Sequence, residues 1–148
     1  MYNLLNLLSL SAILLLHYLS PSPDLFPGIP FFFTTGLIFV AAGLWIMILA
    51  AKSYDLRAFF GFRDETNMPL QINGLHRYMR HPLYSGTLLL CLGICVAFPQ
   101  LKNWYLLLLM FLYLLIGIWL EEKKLIRHFG DAYVQYKKRV KRLIPGVL

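Results

Sequence analysis

Four uncharged apolar stretches restrict what this 148-residue chain can fold into. They cover residues 4–19, 31–51, 83–98 and 104–120, and none of them contains Asp, Glu, Lys or Arg. Each has roughly 16–21 residues, close to the ~20 that an α-helix needs to cross a bilayer. Hydrophobic residues make up 59% of the chain, so a soluble protein would lack the polar surface to cover four such helices. The pattern predicts a single all-α integral membrane domain with about four transmembrane helices.

The basic residues predict the orientation of these helices. Thirteen of the fourteen Lys and Arg residues lie in segments 52–80 and 123–142, and basic loops remain on the cytoplasmic side. Both termini and the loop 52–80 are therefore expected in the cytoplasm. The first stretch lacks the basic flank and cleavage site of a signal peptide, so we expect it to be retained. The net charge of +7 reflects this topology and attraction to anionic lipid, and we expect no nucleic-acid partner.

Neither a disulfide nor a metal site is expected. Cys91 and Cys95 are four residues apart within the third stretch, a spacing that a helix does not bridge easily, and no CxxC motif is present. The four histidines have no spacing that builds a ligand set. Packing in the helix bundle is the preferred interpretation of both cysteines.

Two polar clusters stand at the ends of apolar stretches. The first is the run RHPLYSG at residues 80–86, and the second is Glu121-Glu122, directly after the fourth stretch. Polar groups are costly near hydrocarbon, so they usually mark a site. A helical hairpin turned at residues 99–103 would bring both clusters to the same cytoplasmic side.

The first cluster has the features of a helix start. Pro82 disfavours α geometry at His81, so the third helix is expected to begin at Pro82 with free backbone N–H groups nearby. Such a helix end binds the carboxylate or phosphate group of a ligand well. In the second cluster, a glutamate carboxylate can accept two hydrogen bonds from a ribose diol. Gly86, one turn into the third helix, would let another group approach the helix backbone closely. The sequence therefore predicts a site for a ligand of mixed charge.

Each of these residues also has a structural interpretation. Arg80 could be a snorkelling boundary residue, and Tyr84 could belong to an interfacial aromatic belt. The two glutamates could pair with three basic residues of the tail, which are Lys123, Lys124 and Arg127. Their joint spacing on one membrane side favours a binding site.

The tail after the fourth stretch is predicted to continue as a helix from Glu121, to break near Gly130 and to resume over residues 131–143. Apolar residues recur there at helical spacing; they are Tyr133, Tyr136, Val140 and Leu143. This pattern is typical of a cytoplasmic amphipathic helix at the membrane interface.

Residues 74–86, GLHRYMRHPLYSG, together with Glu121-Glu122, resemble the signature of the isoprenylcysteine carboxyl methyltransferase and phospholipid methyltransferase superfamily. That pattern is Arg-His-Pro, one residue, Tyr, a hydrophobic run and Glu-Glu. The resemblance covers roughly residues 68–146, about half the chain. It implies an integral membrane enzyme that uses S-adenosylmethionine, and the short chain is similar to the prokaryotic members, which implies the inner membrane of a prokaryotic cell.

The resemblance also implies roles for individual residues. The expected cofactor contacts are His81, Pro82, Leu83, Tyr84, Glu121, Leu70, Gln71, His76 and Gly86. Arg80 and Tyr84 are the expected catalytic residues, and Arg77 and Glu122 are expected to contact the substrate.

Three positions depart from the family pattern. Leu75 replaces a common Pro, and His76 replaces the Tyr of many members. Gly117 stands where the prenylcysteine enzymes have an Arg that faces the substrate carboxylate. The methyl acceptor therefore stays open among a carboxylate, an amine, a thiol and a phenol. We expect a lipophilic acceptor to enter sideways between helices and the cofactor to enter from the cytoplasm.

Two other functions remain as alternatives. Sterol reductases have a similar His-Pro-x-Tyr segment and bind NADPH, but they usually have Asn where Leu83 stands. A membrane scaffold or lipid-binding protein could keep the fold without the chemistry. Cofactor binding separates both alternatives from a methyltransferase. The oligomeric state is not indicated by the sequence.

Overall fold

The computed structural model describes residues 19–26, 28–52 and 70–145, and over these ranges the regular structure is helical. Four α-helices follow one another in the described ranges, with a short 3₁₀ helix (Gly74–Arg77) before the second. They are α1 (Pro30–Ala51), α2 (Pro82–Ala97), α3 (Leu101–Phe129) and α4 (Asp131–Arg139). Helices α2 and α3 form a hairpin, and α4 folds back from the end of α3.

The helix ends follow local chain chemistry. Proline occupies the first position of both α1 and α2, where its missing N–H costs no hydrogen bond. Helix α3 continues through Glu121 and Glu122 and stops before Gly130, whose φ of +54° favours glycine. The predicted helix start at Pro82 and the break near Gly130 are both confirmed.

The last predicted helix is too long. Helix α4 ends at Arg139, because Val140 adopts an extended conformation with φ −117° and ψ 135°. Residues 140–143, which we call the C-terminal strap, run beside the segment that precedes α2, and Met79 and Lys141 form a parallel β-bridge there. Pairing with that backbone, rather than the helical period of the sequence, determines the conformation of the strap.

Two of the predicted membrane spans are long and apolar enough to cross a bilayer in the part of the chain that the structure describes. They are the 22-residue helix α1 and the 29-residue helix α3. Helix α2 is also apolar but has only 16 residues. The first predicted span, residues 4–19, lies almost entirely outside the described residues.

Helices α1 and α2 pack with their backbones in contact. A Cβ atom on Gly86 would lie 2.8 Å from the carbonyl oxygen of Gly43, and one on Gly93 would lie 2.6 Å from the amide nitrogen of Val40. Small residues allow such close approach, which replaces the hydrophobic effect as a source of attraction between helices in lipid. Gly86 therefore packs against α1.

The outward faces of α1 and α3 are apolar. Side chains more than 60% exposed include Phe31, Ile38, Trp45, Leu109, Tyr113 and Ile116. A soluble monomer rarely exposes so much apolar surface, whereas lipid would cover it without cost. The helices thus carry the polar site at one end of an apolar bundle.

Candidate functional site

The α2–α3 hairpin brings the two polar clusters into direct contact. His81 Nδ1 lies 3.5 Å from Glu121 Oε2, and its Nε2 lies 3.6 Å from Glu122 Oε1. Arg80 Nη2 lies 3.0 Å from Glu122 Oε1. The prediction that the hairpin joins the two clusters is confirmed. We call Arg80, His81, Tyr84, Glu121 and Glu122 the polar cluster.

The two adjacent glutamates have different environments. Neighbouring residues on an α-helix point about 100° apart, so one carboxylate reaches the surface and the other enters the protein. The Glu121 side chain is 35% exposed, whereas that of Glu122 is 4% exposed. Glu121 is therefore the carboxylate that a ligand can reach.

Buried Glu122 is surrounded by cations from three parts of the chain. Besides Arg80, its partners are Lys137 of α4, whose Nζ lies 2.9 Å from Oε2, and Arg142 of the strap, whose Nε lies 3.5 Å from Oε1. Charge neutralisation of this kind is what makes a buried carboxylate tolerable. Sequence reasoning missed Lys137 and Arg142, because basic residues away from the apolar stripe of a tail helix are usually solvated.

The imidazole ring of His81 is buried and stacks on another ring of the polar cluster. His81 is 3% exposed, and its ring stacks on Tyr84 with centroids 5.5 Å apart and planes 8° from parallel. Burial alone would lower the pKa of His81, but hydrogen bonding and charge attraction from Glu121 and Glu122 outweigh it, so the pKa is raised above 6.5. The two carboxylates therefore favour the protonated form of the ring relative to a free histidine.

The C-terminal strap binds the backbone next to this ring. The Arg80 and His81 amides donate hydrogen bonds of 2.8 and 3.0 Å to the carbonyl oxygens of Lys141 and Arg142. The Ser85 hydroxyl donates to the Leu143 carbonyl at 2.7 Å. The amides of Arg80 and His81 are therefore engaged by the strap, whereas ligand binding by N–H groups in the first turn of α2, which begins at Pro82, stays a prediction.

The remaining predicted site residues surround the cluster at different depths. His76 is 4% exposed, its carbonyl accepts a hydrogen bond of 2.6 Å from the Tyr136 hydroxyl, and burial lowers its pKa. Leu70 and Gln71 are half-buried in the segment before the 3₁₀ helix, and Arg77 is exposed. Their ligand contacts stay predictions.

Three further predicted contacts lie on the first turns of α2. Pro82 is fully buried and Leu83 is half-buried. A Cβ atom on Gly86 would lie 2.7 Å from Met47 Cγ and 2.8 Å from the Gly43 carbonyl oxygen, so α1 makes the close approach that was expected there, and a cofactor contact at Gly86 stays a prediction. Within the described ranges, no three His, Cys, Asp or Glu side chains are grouped as metal ligands.

An apolar groove lies between α2 and α3. Its volume is about 390 Å³, and it is lined by Leu88, Leu92, Trp104, Leu107, Leu108 and Phe111. Leu88 and Leu92 follow Tyr84 at intervals of four residues, so all three lie on one face of α2. Leu88, a lining residue of the groove, thus lies one helical turn after Tyr84 on α2.

Comparison with known proteins gives a family match. Residues 31–132 match the family model described as phospholipid methyltransferase. No solved structure matches the chain. The family match includes every member of the polar cluster.

The curated relatives are methyltransferases with different acceptors. The chain is 43% identical over 76 residues to methanethiol S-methyltransferase 1 from Bradyrhizobium diazoefficiens, which is 48% of this chain and 24% of that protein. It is 29% identical over 117 residues to the protein-S-isoprenylcysteine O-methyltransferase of Schizosaccharomyces pombe, covering 76% of this chain and 49% of that protein. The chain therefore spans half or less of the length of these relatives.

Proposed function

Since this chain belongs to the phospholipid methyltransferase family, we propose that it transfers a methyl group from S-adenosylmethionine to an apolar thiol at the cytoplasmic side of a membrane. The observation that carries the proposal is the polar cluster, in which a partly exposed carboxylate lies beside two stacked aromatic rings. The concentration of basic residues in segments 52–80 and 123–142 supports the cytoplasmic orientation.

The residues of the cluster fit S-adenosylmethionine. Glu121 offers a partly exposed acceptor for a ribose diol or an ammonium group, and the Tyr84 ring, which stacks on His81, offers aromatic surface to a sulfonium cation. When bound, this cofactor supplies an electrophilic methyl group on a good leaving group. The protein then has to align the acceptor and exclude water, and the closely packed α1–α2 pair provides a rigid wall for that.

A thiol is favoured as acceptor by two observations. Gly117 has open space beside the turn that carries Glu121, because a Cβ atom added there would meet no atom of the described residues within 4 Å. Because glycine has no side chain, this position offers no cation for a carboxylate substrate. Several of the relatives are named methanethiol S-methyltransferases. Because the groove beyond Tyr84 is apolar, we propose a thiol that carries a hydrocarbon chain.

Cofactor binding tests the first part of the proposal. We expect isothermal titration calorimetry of the detergent-purified protein to show saturable binding of S-adenosylmethionine and S-adenosylhomocysteine, and no binding of NADPH. Glu121→Ala should abolish the binding of both adenosyl ligands, because it removes the one exposed carboxylate of the cluster. Asp131→Ala, which removes an exposed carboxylate of α4 outside the cluster, is the matched control and should bind normally.

The alternatives make different predictions in the same experiment. Binding of NADPH alone would favour a reductase, and binding of no ligand would favour a scaffold. Unchanged S-adenosylmethionine binding by Glu121→Ala in a folded protein would overturn the placement of the cofactor at this carboxylate.

Acceptor length tests the second part. For a series of alkanethiols from methanethiol upward, we expect kcat/KM to rise by roughly fourfold per added CH₂, as about 0.8 kcal/mol of apolar burial predicts, until the groove is filled. Leu92→Trp should remove this dependence by filling the groove while leaving methanethiol turnover in place. Leu109→Trp, on a face that is 64% exposed, should retain the dependence.

Failure of the groove as the acceptor site can be distinguished from failure of a thiol as the acceptor. If kcat/KM does not change with chain length, the groove does not bind the acceptor, although methyl transfer stands. If no thiol is methylated while S-adenosylmethionine binds, the acceptor belongs to another class.

A further inference from the structure

Glu122 joins three parts of the chain that are far apart in sequence. Arg80 comes from the segment before α2, Lys137 from α4 and Arg142 from the strap, and all three approach its carboxylate within 3.5 Å. The same carboxylate lies 3.6 Å from His81 Nε2. Since its side chain is only 4% exposed, a substrate has little access to it.

The backbone contacts converge on the same place. The strap carbonyl oxygens of Lys141 and Arg142 accept hydrogen bonds from the amides of Arg80 and His81, so the strap docks on the residue that stacks on Tyr84. Lys137 of α4 adds an ion pair to these contacts, since its Nζ lies 2.9 Å from Glu122 Oε2.

We infer that Lys137 is a positioning residue of the cofactor site, which acts through Glu122 to fix the place and the protonation of His81. Lys137 touches no member of the cluster except Glu122 in the contacts of the described residues. Its ammonium group shares the Glu122 carboxylate with His81, and so it limits how strongly that carboxylate holds the His81 proton. The inference rests on the proposed function, because it assigns to Lys137 an effect on the His81 ring of the same cofactor site.

Charged and titratable groups surround His81 on its own segment, on α3, on α4 and in the strap. They are Arg80, His76 and Tyr84 near its own segment, Glu121 and Glu122 on α3, Tyr133, Tyr136 and Lys137 on α4, and Arg142 in the strap. Lys137 is the one of the three cations on Glu122 that lies on α4, and its side chain is 37% exposed. Replacing it therefore removes a charge without leaving a buried cavity.

The sign of the expected effect follows from the geometry. Loss of the Lys137 charge leaves Glu122 more available to His81, so the protonated ring is favoured and its titration moves to higher pH. Because the folded-state pKa of His81 already lies above 6.5, the stabilisation by the protonated ring is complete below that pH and is lost as the pH rises through the raised value. Lys137→Met should move this loss further upward.

The test is NMR titration of the histidine ring signals in detergent, with His81 assigned through His81→Gln. We expect an upward shift of the His81 midpoint in Lys137→Met, no shift in Lys137→Arg, and no shift in Lys138→Met, the matched loss of an exposed charge beside it. If Lys137→Met does not fold, Lys137→Gln is titrated in its place. A His81 midpoint that is equal in Lys137→Met and Lys138→Met would overturn the inference.

The titration needs no cofactor, so its outcome is independent of the methyltransferase proposal. A second arm measures S-adenosylmethionine affinity across the same pH range. We expect the pH dependence of binding to shift with the His81 midpoint in Lys137→Met and to be restored in Lys137→Arg. A purely structural role would lower thermal stability and leave both pH profiles where they are.

Discussion

Glu122→Leu should destabilise the folded protein by about 3–5 kcal/mol, because it leaves the Arg80 guanidinium buried without its partner. That side chain is 5% exposed and lies 3.0 Å from the carboxylate. The free energy of unfolding, measured by denaturant titration in mixed micelles without cofactor, checks the prediction. Glu121→Leu is the control, and we expect it to cost less than about 1 kcal/mol because its carboxylate is partly exposed.

The double variant Glu122→Leu with Arg80→Met separates loss of a buried pair from loss of packing. Replacing both partners by apolar residues is often neutral or stabilising, and Lys137 and Arg142, whose side chains are 37% and 42% exposed, can turn to solvent. The double variant should therefore recover most of the stability lost by Glu122→Leu. A double variant as unstable as Glu122→Leu would contradict the assignment of the cost to Arg80.

Tyr133→Ala should cost a similar amount, about 3–5 kcal/mol, because an aromatic core residue is removed. Tyr133 is 1% exposed and is the one residue of α4 that is buried, so it anchors this helix to the rest of the protein. Tyr113→Ala, at a position 70% exposed, is the matched control and should change stability by less than about 0.5 kcal/mol. Thermal unfolding of the three proteins in the same detergent gives the comparison.

Tyr133→Phe tests the polar part of the same side chain. The Tyr133 hydroxyl is buried and makes no hydrogen bond among the described residues, and burial raises its pKa. Removing an unsatisfied buried hydroxyl is expected to be neutral or to stabilise by about 1–3 kcal/mol. A clear loss of stability in Tyr133→Phe would show that the hydroxyl has a partner in the folded protein.

Much of the architecture could be predicted from local chain chemistry. The uncharged runs predicted the positions of α1, α2 and the apolar part of α3, because a segment that must satisfy its backbone hydrogen bonds in lipid has to be helical. Pro82 predicted the start of α2, and Gly130 predicted the end of α3, because both residues restrict backbone geometry directly. Almost all of the first predicted span, residues 4–19, lies outside the described residues.

What the local sequence left open concerns segments whose partners are distant in the chain. The helical spacing of the apolar residues in the tail predicted a helix to Leu143. The helix instead ends at Arg139, and the strap is extended and pairs with the backbone near His81. Gly86 was expected to allow a close approach to the helix backbone, and α1 makes that approach through Gly43. In both cases the local pattern was compatible with two environments, and only a long-range contact selected one.

The sequence by itself determined the helical membrane-type architecture, the hairpin that joins Arg80–Tyr84 to the Glu121-Glu122 pair, and the family. These depend on apolar content, proline and glycine geometry and a motif, all of which are local in the chain. The tertiary structure alone decided that Glu121 is accessible and Glu122 is buried, and that Lys137 and Arg142 neutralise the buried one. The reason is that adjacent helical residues differ by about 100° in direction, and which of them is buried depends on where α4 and the strap dock.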